Sequence, residues 1–227
     1  MLAIFKREFK SYFQNVIGWL FVAALLAVYG LYFYVYNLKN GYPYISYDLK
    51  GIGFIMMIAV PILTMRSLSD ERKTKTDQLM LTSPVSVGRI VAGKYFAMAA
   101  VYTIDIAIFA LSPLVLSIYG KVALSEAYVA LFGYWLYGLS CIAVGLFISS
   151  ISESVIISAI LTFAALFLSY MMQSITGLIS SSGNLLTKVL NCFDLYTPFE
   201  NFVSGCFSVT SAAYYLSLIH ISEPTRH

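Results

Sequence analysis

Long runs without a charged residue dominate this sequence and restrict its fold more than any other feature. The first run extends from Val16 to Tyr36 and contains neither a charged residue nor a proline. About 20 consecutive apolar residues let a helix cross the hydrocarbon core of a membrane. Hydrophobic residues make up 59% of the 227 residues and charged residues only 11%, which excludes a disordered chain, a nucleic-acid-binding domain and an ordinary cytosolic enzyme. We therefore expect a chain that stays in a lipid bilayer.

The apolar runs predict six membrane spans in the intact protein, of which this sequence completes five. Backbone groups inside a bilayer need hydrogen-bond partners there, so the expected fold is an all-α polytopic helix bundle. The second run is short, but Lys50 and Arg66 at its ends can extend to the interfaces. The runs are Val16–Tyr36, Gly51–Met65, a run within Tyr95–Gly120 that Asp105 interrupts, Ala127–Ser152, Ser154 to about Gly177, and an incomplete sixth run from Val209.

The distribution of cations predicts a cytoplasmic N-terminus, because cytoplasmic loops carry an excess of Lys and Arg. Nine cations fall on the N-terminal side of the membrane: Lys6, Arg7, Lys10, Arg66, Arg72, Lys73, Lys75, Arg89 and Lys94. Four fall on the other side: Lys39, Lys50, Lys121 and Lys188. Residues 1–14 also place apolar side chains on one helical stripe and charged ones largely opposite, which predicts an amphipathic helix in the inner interface.

The end of the chain differs in character from what precedes it. Leu216–Arg226 reads LSLIHISEPTR and resembles a translated sequencing adaptor. A sixth span starting near Val209 would also be broken by polar residues after roughly a dozen positions, too few to cross a membrane. We therefore expect a transmembrane domain over residues 1–215 and a non-native artefact over residues 216–227. The alternative is a genuine polar C-terminus.

The segment between the second and third runs, residues 67–87, concentrates charge in a chain that has little of it. Thr74 and Asp77 form a capping-box pattern ahead of the apolar Leu79–Leu81, and Pro84 ends the helix that they predict. A short helix with an apolar face and a charged flank is suited to docking against another protein. The alternative interpretation is a solvated loop.

Residues 71–95, ERKTKTDQLMLTSPVSVGRIVAGKY, resemble the signature of ABC-2 type transporter permeases, whose usual form is close to ERRSGTLELLLTSPVSxxxIVLGKF. Lys75 stands where Gly is common, and Gln78 where Glu is common. The opening IFKREFKSYF is similar to the N-terminal interfacial helix of the family. The resemblance covers residues 1–215 and is closest to the six-span branch that includes gliding-motility and copper-processing permeases.

This resemblance implies a bacterial plasma-membrane exporter subunit that binds no nucleotide itself. ATP and Mg²⁺ would be bound by a separate ATP-binding cassette ATPase subunit, and a second permease subunit, identical or different, would complete the pathway. The helix between the second and third spans would couple the ATPase to the bundle. The residues that carry this role by resemblance are Glu71, Arg72, Thr76, Asp77, Leu79, Leu81 and Pro84, for docking and coupling and not for catalysis.

One stretch resembles a nucleotide site without meeting its requirements. Gly88 through Tyr95 nearly match the P-loop pattern GxxxxGK[ST], but Tyr95 stands where the Mg²⁺-binding hydroxyl of Ser or Thr is needed. No strand pattern precedes it. We therefore do not expect this chain to bind nucleotide.

Asp105 is a carboxylate near the middle of the third span, where an ionised group is costly unless paired or hydrated. It could line a pathway or titrate with a transported proton. It could equally be a polar packing contact with Tyr102, Thr103 or a partner subunit. Two other functional classes therefore stay open beside the exporter: a proton-linked secondary transporter and a non-transporting membrane scaffold.

The last outer segment, residues 178–208, contains Cys192 and Cys206, which could form a disulfide. By resemblance to the family, this segment would fold back as short helices that cover the exit of the pathway. No cluster of side chains in the sequence identifies a substrate or a metal site.

Overall fold

The computed structural model describes residues 2–73, 87–179, 194–205 and 208–221, and in these ranges all regular secondary structure is helical. The helix Val16–Phe33 continues directly into a wider π-helical turn, Tyr34–Lys39, which we call the π segment. The helices are α1 Leu2–Gln14, α2 Val16–Phe33, α3 Ser46–Thr64, α4 Ser69–Lys73, α5 Val87–Phe109, α6 Ser112–Tyr119, α7 Leu124–Ile151, α8 Val155–Ile179, α9 Thr197–Val203 and α10 Val209–Ile221.

Five helical stretches in the described residues are long and apolar enough to cross a membrane. They are Val16–Lys39, Ser46–Arg72, Val87–Tyr119, Leu124–Ile151 and Val155–Met172, and a shorter apolar helix covers Val209–Ile219. The predicted all-α polytopic bundle is confirmed. The predicted interfacial helix exists as α1, which packs against α2 and α5, while its depth in a membrane stays a prediction.

The second span begins five residues earlier than the expected Gly51, at Ser46, and so includes Asp48 and Lys50. Both charges are accommodated by partners: Asp48 contacts Asn37, and Lys50 Nζ lies 3.6 Å from Glu200 Oε1. The predicted start of the second span was therefore too far along the chain. A search for uncharged runs stops at every charged residue, including those that are paired in the folded protein.

The third span runs through Asp105 without a break and is interrupted later, at Ala110 and Leu111. Pro113 lies in the first turn of α6, where a missing backbone N–H costs nothing. Farther back in a continuous helix that ring would disrupt the backbone hydrogen bonds. The proline, and not the carboxylate, therefore divides this span.

The central helix of the bundle is α7, which packs against α3, α5, α6, α8, α9 and α10. Small residues allow this, because a Cβ atom on Gly138 would lie 2.3 Å from Cζ of Tyr102, and one on Gly145 would lie 2.5 Å from Oγ1 of Thr64. By contrast, α2 and α8 leave most of their apolar surface uncovered. The bundle therefore has one buried helix and peripheral helices that face outward.

Candidate functional site

Buried charges converge at the end of the bundle where α1, α4 and the start of α5 meet, which we call the N-terminal face. Lys94 of α5 is 2% exposed, and its ammonium group lies 2.7 Å from Glu71 Oε1 of α4 and 3.3 Å from Glu8 Oε1 of α1. It also donates a 2.9 Å hydrogen bond to the backbone oxygen of Ser67. Three acceptors match the three donor hydrogens of an ammonium group, so this buried charge is fully compensated.

Arg7 extends the same network from the exposed side of α1. Its Nη2 lies 2.7 Å from Glu8 Oε1 and 4.0 Å from Glu71 Oε1. We call Arg7, Glu8, Glu71 and Lys94 the Lys94 cluster. Two cations balance two carboxylates in it, and three helices that are far apart in sequence share its ion pairs. A displacement of α4 would therefore act directly on α1 and α5.

The start of α4 is held separately by the last turns of α7. Ser149 Oγ accepts hydrogen bonds from the backbone N–H groups of Leu68 and Ser69, at 3.2 and 3.3 Å, and lies 2.9 Å from Ser69 Oγ. Arg72 Nη1 donates to the backbone oxygen of Ile151 at 3.3 Å. The polypeptide that enters residues 74–86 is thus fixed to α7 as well as to the Lys94 cluster.

A cavity of about 590 Å³ opens beside the Lys94 cluster, between α1 and the turn before α4. Its lining adds Arg66 and Asp70 to the cluster, so both signs of charge face it. Tyr12 lines it too, and its hydroxyl donates to the backbone oxygen of Leu63 at 3.4 Å. Burial, reinforced by the negative charge of Glu8, raises the pKa of the Tyr12 hydroxyl, which therefore keeps its proton as a donor.

Of the residues assigned to docking from the sequence, only Glu71 and Arg72 belong to the described residues. Glu71 is part of the Lys94 cluster, and Arg72 is exposed on α4. The remaining members of that set, Thr76, Asp77, Leu79, Leu81 and Pro84, lie outside the described residues, as do the predicted capping box and Cys192 and Cys206.

A comparison with protein families matches residues 32–220 to the ABC-2 family transporter proteins. This match spans most of the chain, including every helix from the end of α2 to nearly the end of α10. The chain belongs to the ABC-2 transporter family. It is thus a permease, the membrane component of a transporter. None of the curated proteins matches it. The match reaches five residues into the stretch that resembles an adaptor, whose origin stays a prediction.

The P-loop-like stretch of this permease is helical. Gly88 through Lys94 form part of α5, and the ammonium group of Lys94 is occupied by the two carboxylates and the carbonyl described above. A P-loop lysine instead reaches from a glycine-rich loop to bound phosphates. In this permease the same residue types join helices to one another.

Asp105 of the permease is completely buried within α5, and both of its carboxylate oxygens are without a hydrogen-bond partner in the described structure. The hydroxyls expected as its partners are used elsewhere. Tyr102 donates to the backbone oxygen of Tyr134 at 2.7 Å, and Thr103 donates to that of Ala99 at 2.7 Å. A partner subunit and a pathway role are therefore the expectations that stay open for Asp105.

Sequence reasoning missed two features of the site. It treated Glu8 as part of the charged face of an amphipathic helix and Lys94 as one of the inner cations, whereas the structure pairs Lys94 with both Glu8 and Glu71. It also did not single out Asn37 and Asp48, a buried polar pair at the opposite face of the bundle. The available signal was Lys94 itself, since a lysine directly before a long apolar run needs either water or a carboxylate.

Proposed function

We propose that this permease is the membrane-spanning subunit of an ATP-driven exporter in a bacterial plasma membrane. Its N-terminus would be cytoplasmic, and its residues 67–87 would dock on a separate ATP-binding cassette ATPase that binds ATP and Mg²⁺. Two permease subunits, identical or different, would enclose the pathway. The work of this chain in such a complex is conformational: it converts movement of the ATPase into movement of helices.

The observation that carries this proposal is the double attachment of the chain on either side of residues 74–86. Before them, α4 is bonded to α7 through Ser149 and to α1 through Glu71. After them, α5 begins at Val87 and is tied to α4 through Lys94. A force applied to residues 74–86 would therefore reach α1, α5 and α7 at once, which is what a coupling element requires.

The test is co-purification of the ATPase with a tagged permease. The partner is identified by mass spectrometry on the wild-type complex, and its yield is then measured for Arg72→Glu and for Asp77→Arg. We expect each charge reversal to lower the yield about tenfold or more, equivalent to at least about 1.4 kcal/mol of binding free energy. Lys39→Glu, an exposed charge reversal on the opposite face, is the control. Unchanged yields, or no ATPase with the wild type, would contradict the proposal.

A second function, proton-linked secondary transport, is favoured by the unpartnered carboxylate of Asp105. It requires that transport continue in vesicles from cells that lack the ATPase and stop in Asp105→Asn. Transport that needs the ATPase and survives Asp105→Asn would exclude this second function and leave the exporter.

A further inference from the structure

A buried polar pair joins the first two spans at the face opposite the Lys94 cluster. Asn37 lies in the π segment and is 5% exposed, and Asp48 lies in the first turn of α3 and is fully buried. Only the short connection 40–45 separates the two helical elements. π-helical turns recur at functional positions, because the extra residue redirects a side chain. Here Asn37 is the buried residue of that turn.

The hydrogen bonding of this pair is half complete. Asn37 Nδ2 donates to Asp48 Oδ2, while Asn37 Oδ1 and Asp48 Oδ1 are both buried and have no partner in the described structure. An amide oxygen and an ionised carboxylate oxygen are both acceptors, so neither can satisfy the other. A proton on Asp48 Oδ1 turns that oxygen into a donor. The terminal torsions of Asn and Asp rotate broadly, so the new donor can meet Asn37 Oδ1.

We propose that Asp48 is a proton-binding site whose bound proton completes a two-hydrogen-bond acid–amide pair with Asn37. In the protonated pair, Asn37 Nδ2 donates to Asp48 Oδ2 and Asp48 Oδ1 donates to Asn37 Oδ1. Loss of the proton leaves two buried acceptors side by side, and only the Nδ2–Oδ2 hydrogen bond then joins the π segment to the start of α3. The bound proton therefore strengthens the contact between the π segment and the start of α3, a role that goes beyond ATP-driven export.

The surroundings of Asp48 favour a proton over an alternative charge partner. Asn37 is its one polar contact in the described structure, and Tyr29 of α2, the titratable group that approaches it, is hydrogen-bonded to Ser112. Lys50, two residues later, pairs with Glu200 of α9 instead. The partial positive charge at the start of α3 favours the ionised form, but it acts through the helix dipole and gives the unpaired oxygen no donor.

A metal cation fits the pair less well than a proton does. Hard cations take about six or more oxygen ligands. The pair offers two buried oxygens without partners, and the neighbouring hydroxyls of Tyr29 and Ser112 already bond to each other. One proton satisfies both oxygens without any further ligand and leaves the site neutral.

The direct test is the infrared carbonyl band of a protonated carboxylic acid, measured on the purified full chain at neutral pH. Asp105→Asn serves as the background, because Asp105 is the other buried acid without a partner among the described residues. We expect the band to persist in Asp105→Asn and to disappear in Asp105→Asn with Asp48→Asn added. A band that is absent from the background, or that survives the second substitution, would overturn the proposal.

The second test is the pH dependence of thermal unfolding in the same background. An unfolded chain loses the Asp proton near pH 4, so a proton held only by the folded state makes stability fall as pH rises. We expect the melting temperature to fall by roughly 5 °C between about pH 6 and about pH 9. Asp48→Asn, whose amide can keep both hydrogen bonds, should remove this fall. An equal fall of the melting temperature in Asp48→Asn would overturn the proposal that Asp48 binds the proton.

Two further measurements keep the proposal falsifiable if Asp48→Asn does not fold. The exchanged variant, Asn37→Asp with Asp48→Asn, rebuilds an acid–amide pair with the acid on the π segment, and it should restore both the band and the pH dependence. Sodium chloride added at constant ionic strength should not raise the melting temperature of the wild type. The proposal would be overturned if the exchanged variant restored neither the band nor the pH dependence. It would also be overturned if sodium raised the melting temperature of the wild type and Asp48→Asn or the exchanged variant removed that increase.

Discussion

The two buried charged residues of α5, Lys94 and Asp105, have opposite surroundings. Lys94, at the N-terminal face, has two carboxylates and a backbone carbonyl around its ammonium group. Asp105, three turns farther along the same helix, has no hydrogen-bond partner in the described structure. A buried charge that is compensated within the chain acts as a joint between helices. A buried acid without such compensation needs either a bound proton or a partner outside the described residues.

The difference follows from position along the helix. The N-terminal face combines α1, α4 and α5, and the first two contribute the carboxylates of Glu8 and Glu71. Tyr102 and Tyr134 lie near Asp105, and the hydroxyl of Tyr102 donates to the backbone oxygen of Tyr134. Ion pairs therefore form at the end of the bundle, whereas the described residues place no cation beside Asp105.

The largest effect should come from breaking the Lys94 joint with Lys94→Met. The methylene stem keeps its packing, but Glu8 and Glu71 lose their common cation while they are mostly buried. Removing one partner of a buried ion pair costs about 3–5 kcal/mol. Because these carboxylates retain some exposure and Arg7 stays nearby, we expect about 3 kcal/mol, measured as a lower melting temperature in detergent.

The matched control for Lys94→Met is Lys10→Met, an exposed lysine on α1. Exposed substitutions change stability by about 0.5 kcal/mol or less. Adding Glu8→Gln and Glu71→Gln to Lys94→Met should recover part of the loss, because no charge is then left without its partner. Equal melting temperatures for Lys94→Met and Lys10→Met would show that the joint does not hold α1, α4 and α5 together.

The second prediction concerns the packing beside Asp105. A Cβ atom on Gly138 would lie 2.3 Å from Cζ of Tyr102 and 2.5 Å from its hydroxyl oxygen, and Tyr102 is fully buried. Gly138→Ala should therefore cost about 1–3 kcal/mol, as overpacking of a core does. Gly30→Ala is the control, since nothing lies within 4 Å of its added methyl group. A harmless Gly138→Ala would show that the region around Asp105 yields easily.

The helical architecture could be predicted from the sequence because lipid leaves few choices. Uncharged runs gave the correct number of complete spans, and the second and third spans were misjudged only at their ends. The second span was misjudged because the sequence does not say which charges will be paired. The third span was misjudged because its break is set by Pro113 and not by Asp105. From the sequence, Lys50 marks the end of a span, because its ion pair with Glu200 is visible only in the structure.

The site was predicted less completely for a related reason. Glu71 and Arg72 were selected from a local motif. The structure adds that Glu71 pairs with Lys94, 23 positions later, and approaches Arg7, 64 positions earlier, to 4.0 Å. No local pattern encodes such a contact. The Asn37–Asp48 pair was missed because it depends on a π-helical turn, which apolar periodicity does not reveal.

A smaller effect should come from Ser149→Ala, which removes the second attachment of α4. Ser149 accepts from two backbone N–H groups at the turn before α4. Their loss should cost about 1–2 kcal/mol, because buried donors are left without acceptors. Ser150→Ala is the control, since its hydroxyl is exposed and bonds only to the preceding turn. If both variants melt at the same temperature, the hydrogen bonds to Ser149 do not help to hold α4.

The smallest effect should come from Asp105→Asn in the isolated subunit. Asn has nearly the same shape, and no hydrogen bond of the described structure is lost. We expect the free energy of unfolding to rise by less than about 1 kcal/mol, because burying an amide costs less than burying a carboxylate. A loss of about 2 kcal/mol or more would mean that Asp105 already has a partner within this chain, and the contrast with Lys94 would fail. If Asp105→Asn leaves the isolated subunit unaffected but weakens the association of two permease subunits, a second subunit supplies the missing partner of Asp105. A large effect of Lys94→Met beside a small effect of Asp105→Asn would show that Lys94 is compensated within the subunit and that Asp105 is not.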